Sequence, residues 1–460
     1  MNTQLRIRTA AIAAILISSV LSAGAAEWWV AIPADGGDDE NAGTSEAPFA
    51  TIQKALTLAQ DGDTVKVRAG TYTIPSLPYT SSSAAQAYQF TTPAYNLTNA
   101  VSVIAVAGPG ETMLAGVNNK WSHAFRINNA NAVVSGFTVK NVASPSAGKT
   151  SAQNVSAFMH VVNGLVTNCV IHTDGKISNA ATPGTRAGIT ASGGQIVDCV
   201  VSNILKTTKL TSCICGISVT GAATVRKCRV IGCTSHNSGC FVVSGANAVV
   251  SDCEVAGCSG TNPVSLTGAG AQLSNCVITN NAGSTSAVSV NNATATLRNC
   301  LVAGNAATSA TGAGGIVLAN GTVESCTVAN NRNSSTATSG WAHGVLQSGG
   351  DILNSVIACN ASGGAFGDSM NHVSTGGTCA YTCTYPLQEG EGNTTISPSF
   401  VDLAAGNFHL ASDSGLLNIG SKQTWMQTAT DLDGNSRIRG GGVDIGCYER
   451  QSDGFIITVR

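Results

Sequence analysis

Four residues set around one stretch of the chain could do acid–base chemistry: His172, Asp174, Lys176 and Arg186. An imidazole, a carboxylate and two cations within fifteen residues are the raw material for proton transfer or for holding an anionic sugar. Asp174 also falls in a repeating structural column, so a plain turn role is the competing reading. Elsewhere acids and bases are sparse, with only 10% of residues charged. Asp252 and Glu254 face Lys227 and Arg229 one repeat earlier, a spacing that reads first as a cross-strand ion pair. Asp431, Asp433 and Asn435 offer oxygen ligands for calcium, as do Asp35, Asp38, Asp39 and Glu40. Neither group completes a twelve-residue calcium loop, and acidic turns explain both. No other cofactor is expected.

Cysteine is the reactive residue that recurs most regularly. Seven of the 16 cysteines recur at one place in a repeat: Cys169, Cys199, Cys228, Cys253, Cys276, Cys300 and Cys326, with Ser355 closing the series. The spacings are 30, 29, 25, 23, 24, 26 and 29 residues. A period of this size with drifting loops marks a solenoid. Counting the cysteine as zero, positions −3, 0 and +2 are small or branched apolar residues, while −1 and +1 vary. Positions 0 and +2 share a strand face. A two-residue turn at −2 and −1, rich in Asn and Asp, is expected to return −3 to the core. A second column at +5 carries Asn281, Asn305, Asn331 and Asn360, which can hydrogen-bond along a stack. Further apolar strands precede each unit, as at 216–219, 241–243, 287–290 and 315–318.

These features predict an all-β chain, a right-handed parallel β-helix with three-strand rungs of about 23–32 residues. Stacked cysteines about 4.8 Å apart point the same way and lack disulfide geometry, so the ladder reads as small buried residues. Cys379 and Cys383, expected in a loop, are the better disulfide candidates. Metal binding by the cysteines lacks a second ligand pair.

Residues 1–26 read as a signal peptide, with Arg6 and Arg8, an apolar run from Ala10 to Leu21 and a small-residue cleavage site. Without those two arginines, 21 basic residues face 25 acidic ones, a net of −4. No basic patch points to nucleic acid. No other stretch is long and apolar enough to span a bilayer. Export to the extracellular space or outer cell surface is therefore expected, as a monomer.

Residues 27–72 read as an N-terminal cap and first rung, with a short capping helix over 51–59. Residues 73–360 hold the repeats, 361–450 a C-terminal cap and 451–460 a tail. The motifs Gly43-Thr-Ser-Glu-Ala-Pro-Phe49, Thr51-Ile-Gln-Lys-Ala55, Gly62-Asp-Thr-Val65 and Ala69-Gly-Thr-Tyr72 resemble the N-terminal signature of bacterial right-handed parallel β-helix proteins. That resemblance implies the fold of the pectate-lyase-like superfamily. Toward the end, Pro398 to Asp402, Asp431 to Asn435 and Val443 to Glu449 resemble the choice-of-anchor Q domain of exported bacterial β-helix proteins. Gln451 to Arg460 carry no hydrophobic tail or sorting motif, a departure from that pattern.

Three function classes follow. The first is an exported structural or adhesin-like β-helix that contacts polysaccharide or cell-surface glycan. The second is a polysaccharide lyase or glycoside hydrolase, implied by the fold resemblance alone. The third is a non-catalytic carbohydrate-binding module. Aromatic residues make up only 5% of the chain, so no long sugar-stacking strip stands out.

Overall fold

The repeat closes into a coil. In the computed structural model, residues 24–75, 93–116, 124–140, 158–173, 176–177, 185–206, 213–337, 339–361 and 366–450 are described, by backbone alone at 176–177, 185–187, 206 and 213. Each rung contributes two legs to a broad 20-stranded sheet and one leg to a narrow 12-stranded sheet. The pairing between coils is parallel and in register, as in Val170–His172 beside Val200–Ser202. Among the described residues no helix is long and apolar enough to cross a membrane.

The corner between the broad and narrow sheets is made by one residue per rung, not two. Asn168, Asp198, Lys227, Asp252, Asn275, Asn299, Ser325, Asn354 and Tyr381 all take left-handed φ angles between 47° and 56°. A single left-handed residue reverses the side-chain alternation, which puts −3 and 0 on the same inner side. Asn and Asp tolerate this conformation best, which explains their dominance there. A second left-handed column lies at +4, through Asn203, Gly232, Gly257, Asn280, Gly304, Asn330 and Cys359.

The cysteine ladder is buried and its sulfurs are polar partners as well as packing atoms. The thiol of Cys276 donates to the Ser274 carbonyl at 3.1 Å, and its sulfur accepts the backbone N–H of Cys253 at 3.4 Å. Cys300 repeats this toward Cys276. Ser355 fits the column because its hydroxyl does the same, accepting from Cys326 N and donating to Leu353 O. The asparagine column forms an inner ladder as expected. Asn281 N and Nδ2 both donate to Asn305 Oδ1, and Asn305 N and Nδ2 donate to Asn331 Oδ1.

The repeat does not stop at Asn360. Strands His372–Ser374, Thr378–Ala380 and Cys383–Thr384 pair in register with the preceding rung. Thr382 takes the ladder position, accepting from Ser355 N. This corrects the loop placement of Cys379 and Cys383. Cys379 lies with the core inside the coil, and Cys383 packs outside with Leu410 and Ile445. Both are free buried thiols with the sheet wall between them, so they form no disulfide.

The caps follow from what each end exposes. At the start, strand Glu27–Val30 lies under Thr64–Val67, and helix Ile52–Leu58 buries Ile52 and Ala55. Thr51 caps that helix by accepting Lys54 N. At the other end, Asn393 Oδ1 accepts Thr382 N, and Thr394 pairs with Cys383 across the last rung. Residues 400–450 then run back along the outside of the coil, over the narrow sheet and across its corner with the broad one. Phe408 and Cys447 pack on Leu301, Ala303 and Ala329. Outward positions that are charged at Arg229 and Glu254 thus become apolar or buried at Leu301, Thr327 and Val356.

Candidate functional site at the loop-bearing corner

Strands of the narrow sheet end, and strands of the broad sheet begin, at one corner of the coil. His172 ends strand Val170–His172 and faces outward, since Ile171 is buried. Its register neighbours are Lys140 on one side and Ser202 on the other. Lys176 starts the short strand Lys176–Ile177, whose backbone pairs with Leu205–Lys206. Arg186 lies in Thr185–Ala191, opposite Ile214. Asp174 lies outside the described residues. The fold therefore brings His172 beside Lys140 and sets Lys176 and Arg186 on the backbone that follows.

The broad sheet adds a second basic column across the same corner. Arg126 and His160 are register partners, and His160 Nε2 lies 3.3 Å from Ser192 Oγ. Lys140, Arg126 and His160 were missed by local reading. The signal for Lys140 was present: it follows Phe137 by three residues, as His172 follows Cys169. Imidazole and ammonium groups on two flanking columns can hydrogen-bond hydroxyl or carboxylate oxygens of a chain laid across the corner.

Three ion pairs join neighbouring rungs. Arg229 Nε lies 2.6 Å from Glu254 Oε2, the expected cross-strand pair. Arg298 Nε lies 2.9 Å from Glu324 Oε2, and Lys66 pairs with Glu27. The two calcium candidates hold turns together. Asp431 Oδ1 accepts the N–H groups of Asp433 and Asn435, and Asp433 pairs with His409 at 2.6 Å. Asp39 accepts Ala50 N, Thr51 N and the Thr51 hydroxyl. Among the described residues no three His, Cys, Asp or Glu side chains gather closely enough to hold a metal ion.

The returning C-terminal segment carries a buried charge lock. Arg437 is fully buried, with Nη2 3.2 Å from Glu449 Oε1 and Nη1 donating to Gly446 O and Asn299 Oδ1. Burial pushes the Glu449 carboxyl up to about 8, outweighing the pull of Arg437. Beside it, Arg439, Asp444 and Arg450 line a recess of about 420 Å³. Asn299 belongs to the coil, so this lock ties residues 431–450 to the wall.

Comparison with known proteins agrees with the coil. The family model described as "Right handed beta helix region" matches residues 159–331 and 215–378. The chain is a right-handed β-helix protein. A family of unknown function, DUF1565, matches residues 35–76, over the N-terminal cap. Curated proteins gave no match. Similar solved structures include the pectate lyase Pel9A, at 14% identity and TM-score 0.43, over 93% of this β-helix chain and 97% of that one. XylC in complex with xylose gives 10% identity and TM-score 0.44, over 93% and 99%. The A-module of the mannuronan C-5 epimerase AlgE4 of Azotobacter vinelandii gives 12% and 0.40, over 79% and 100%. Likenesses this distant carry no argument about chemistry.

Proposed function

We propose that this β-helix is an exported monomer that works at or outside the cell surface as an elongated contact face for glycans, without cleaving them. One observation carries the reading. A single outward column of the broad sheet runs Gln195, Thr224, Val249, Gln272, Thr296, Thr322, Asp351, Thr378, each in register with the next. Apart from Val249 and Asp351 it offers amide and hydroxyl groups, stepped by the strand spacing of about 4.8 Å, and such groups both donate to and accept from sugar hydroxyls. The low charge of the chain, 10% of residues, with ion pairs tying Arg229 to Glu254 and Arg298 to Glu324, supports contact with uncharged groups. The apolar run before Leu21 and the C-terminal likeness to a choice-of-anchor Q domain support export and surface display.

The test takes the purified chain through a panel of neutral and acidic polysaccharides with calcium present. Affinity electrophoresis reads binding, and assays for reducing and unsaturated ends read cleavage. The expected outcome is retardation on at least one glycan with no new ends. New ends on any glycan overturn the contact reading in favour of a lyase or hydrolase, with His172, Lys176 and Arg186 as the first positions to substitute.

A further inference from the structure

The polar column of the broad sheet meets an aromatic residue, Trp425, beside Gln272 and Thr296. There residues 424–430 cross in front of Gln272 and Thr296 and leave a groove of about 340 Å³. We infer that this groove is a binding site for a neutral oligosaccharide, an inference that rests on the glycan-contact reading and gives it a location.

Trp425 lines the groove, half-buried and held on two sides. Its indole Nε1 donates to Glu324 Oε1 at 2.6 Å, and the Arg298 guanidinium lies 4.6 Å from its ring centre. A ring fixed in this way has little conformational freedom left to lose on binding. The guanidinium is also paired with Glu324 at 2.9 Å, so the one cation in the groove is already neutralised. What remains is uncharged: the Gln272 amide and the hydroxyls of Ser274, Thr296 and Thr428. Gln272 and Thr296 stand opposite one another on adjacent rungs, so they can take hydroxyls from successive sugar units. A uronate chain would bring carboxylates toward Glu324 with no uncompensated cation to receive them. An aromatic ring beside amides and hydroxyls is the chemistry of a neutral sugar site.

Titration calorimetry of the mature full chain tests this. The probes are neutral gluco-, xylo-, manno- and galacto-hexasaccharides, with oligogalacturonate as the acidic arm. One neutral series should bind. Combining Gln272→Ala with Thr296→Ala, both at the coil surface, should weaken it about tenfold. Thr428→Trp, on the opposite lip, should fill the groove and abolish binding. Unchanged affinity in both variants overturns the groove and leaves the contact reading standing. Binding confined to oligogalacturonate does the same. Silence toward every probe, together with no retardation on any polysaccharide, overturns both.

Discussion

The side-chain amide of Asn305 reaches both neighbouring rungs. Its oxygen accepts from Asn281 N and Nδ2, and its nitrogen donates to Ile278 O and Asn331 Oδ1. All these groups are buried, so removing the amide strands several of them at once. Asn305→Leu, close in shape, should destabilise the chain by about 2–5 kcal/mol. Cys276→Ser should cost less than about 1.5 kcal/mol, since a hydroxyl already serves the same column at Ser355. Denaturant unfolding of the two variants checks the contrast, and equal losses would refute it. The ladder was legible because identical residues recur at fixed offsets. That its thiols accept backbone N–H groups was not, because a hydrogen bond to sulfur leaves no mark in a pattern of apolar residues. The left-handed corner was half-legible: Asn and Asp announced a turn, while Lys227, Ser325 and Tyr381 take the same backbone without belonging to that class.

At the scale of elements, the last rung is tied by a buried imidazole. His372 on strand His372–Ser374 lies 3.1 Å from Gln347 Oε1 on the rung before and 3.2 Å from Thr384 Oγ1 across the coil. Burial lowers its pKa to about 4. The unfolded chain thus binds a proton at a higher pH than the folded one. Stability from this group is complete above the ordinary histidine range near 6.5 and falls as acid moves from there toward 4. The loss should reach about 3 kcal/mol. His372→Gln should flatten that part of the stability–pH curve, and a variant that tracks the parent would show the slope comes from elsewhere. This rung was hidden from the sequence. Its ladder position holds Thr382 and its corner holds Tyr381, so the residue types do not repeat, although Thr382 follows Ser355 by 27 residues, within the spacing of the ladder. The return of residues 400–450 along the wall had one readable sign, the change of the +1 position from Arg229 and Glu254 to Val277, Leu301 and Val356.

For the whole molecule, the candidate site was legible only as residue types. His172 lay where the ladder places an outward side chain, but its neighbour Lys140 is 32 residues away and meets it only because one coil stacks on the next. Stacking also decides the fate of the thiols. The fifteen described cysteines are all free and buried, although small exported chains usually pair theirs. Alkylation of the native, unreduced chain should spare the fifteen buried thiols, and denaturation without reductant should expose them to labelling. A shortfall after denaturation would reveal disulfides. A further consequence lies in the left-handed corners. The rungs from Cys199 to Cys253, which the returning segment does not cover, meet only their neighbours, and each carries its own corner and its own ladder residues. Twenty-five residues, the distance from Cys228 to Cys253, therefore form a unit that gene duplication can copy or delete without shifting any register. Each copy lengthens the molecule by about 4.8 Å. The reach of this protein is a quantity that evolution can count out one coil at a time, independently of what either end does.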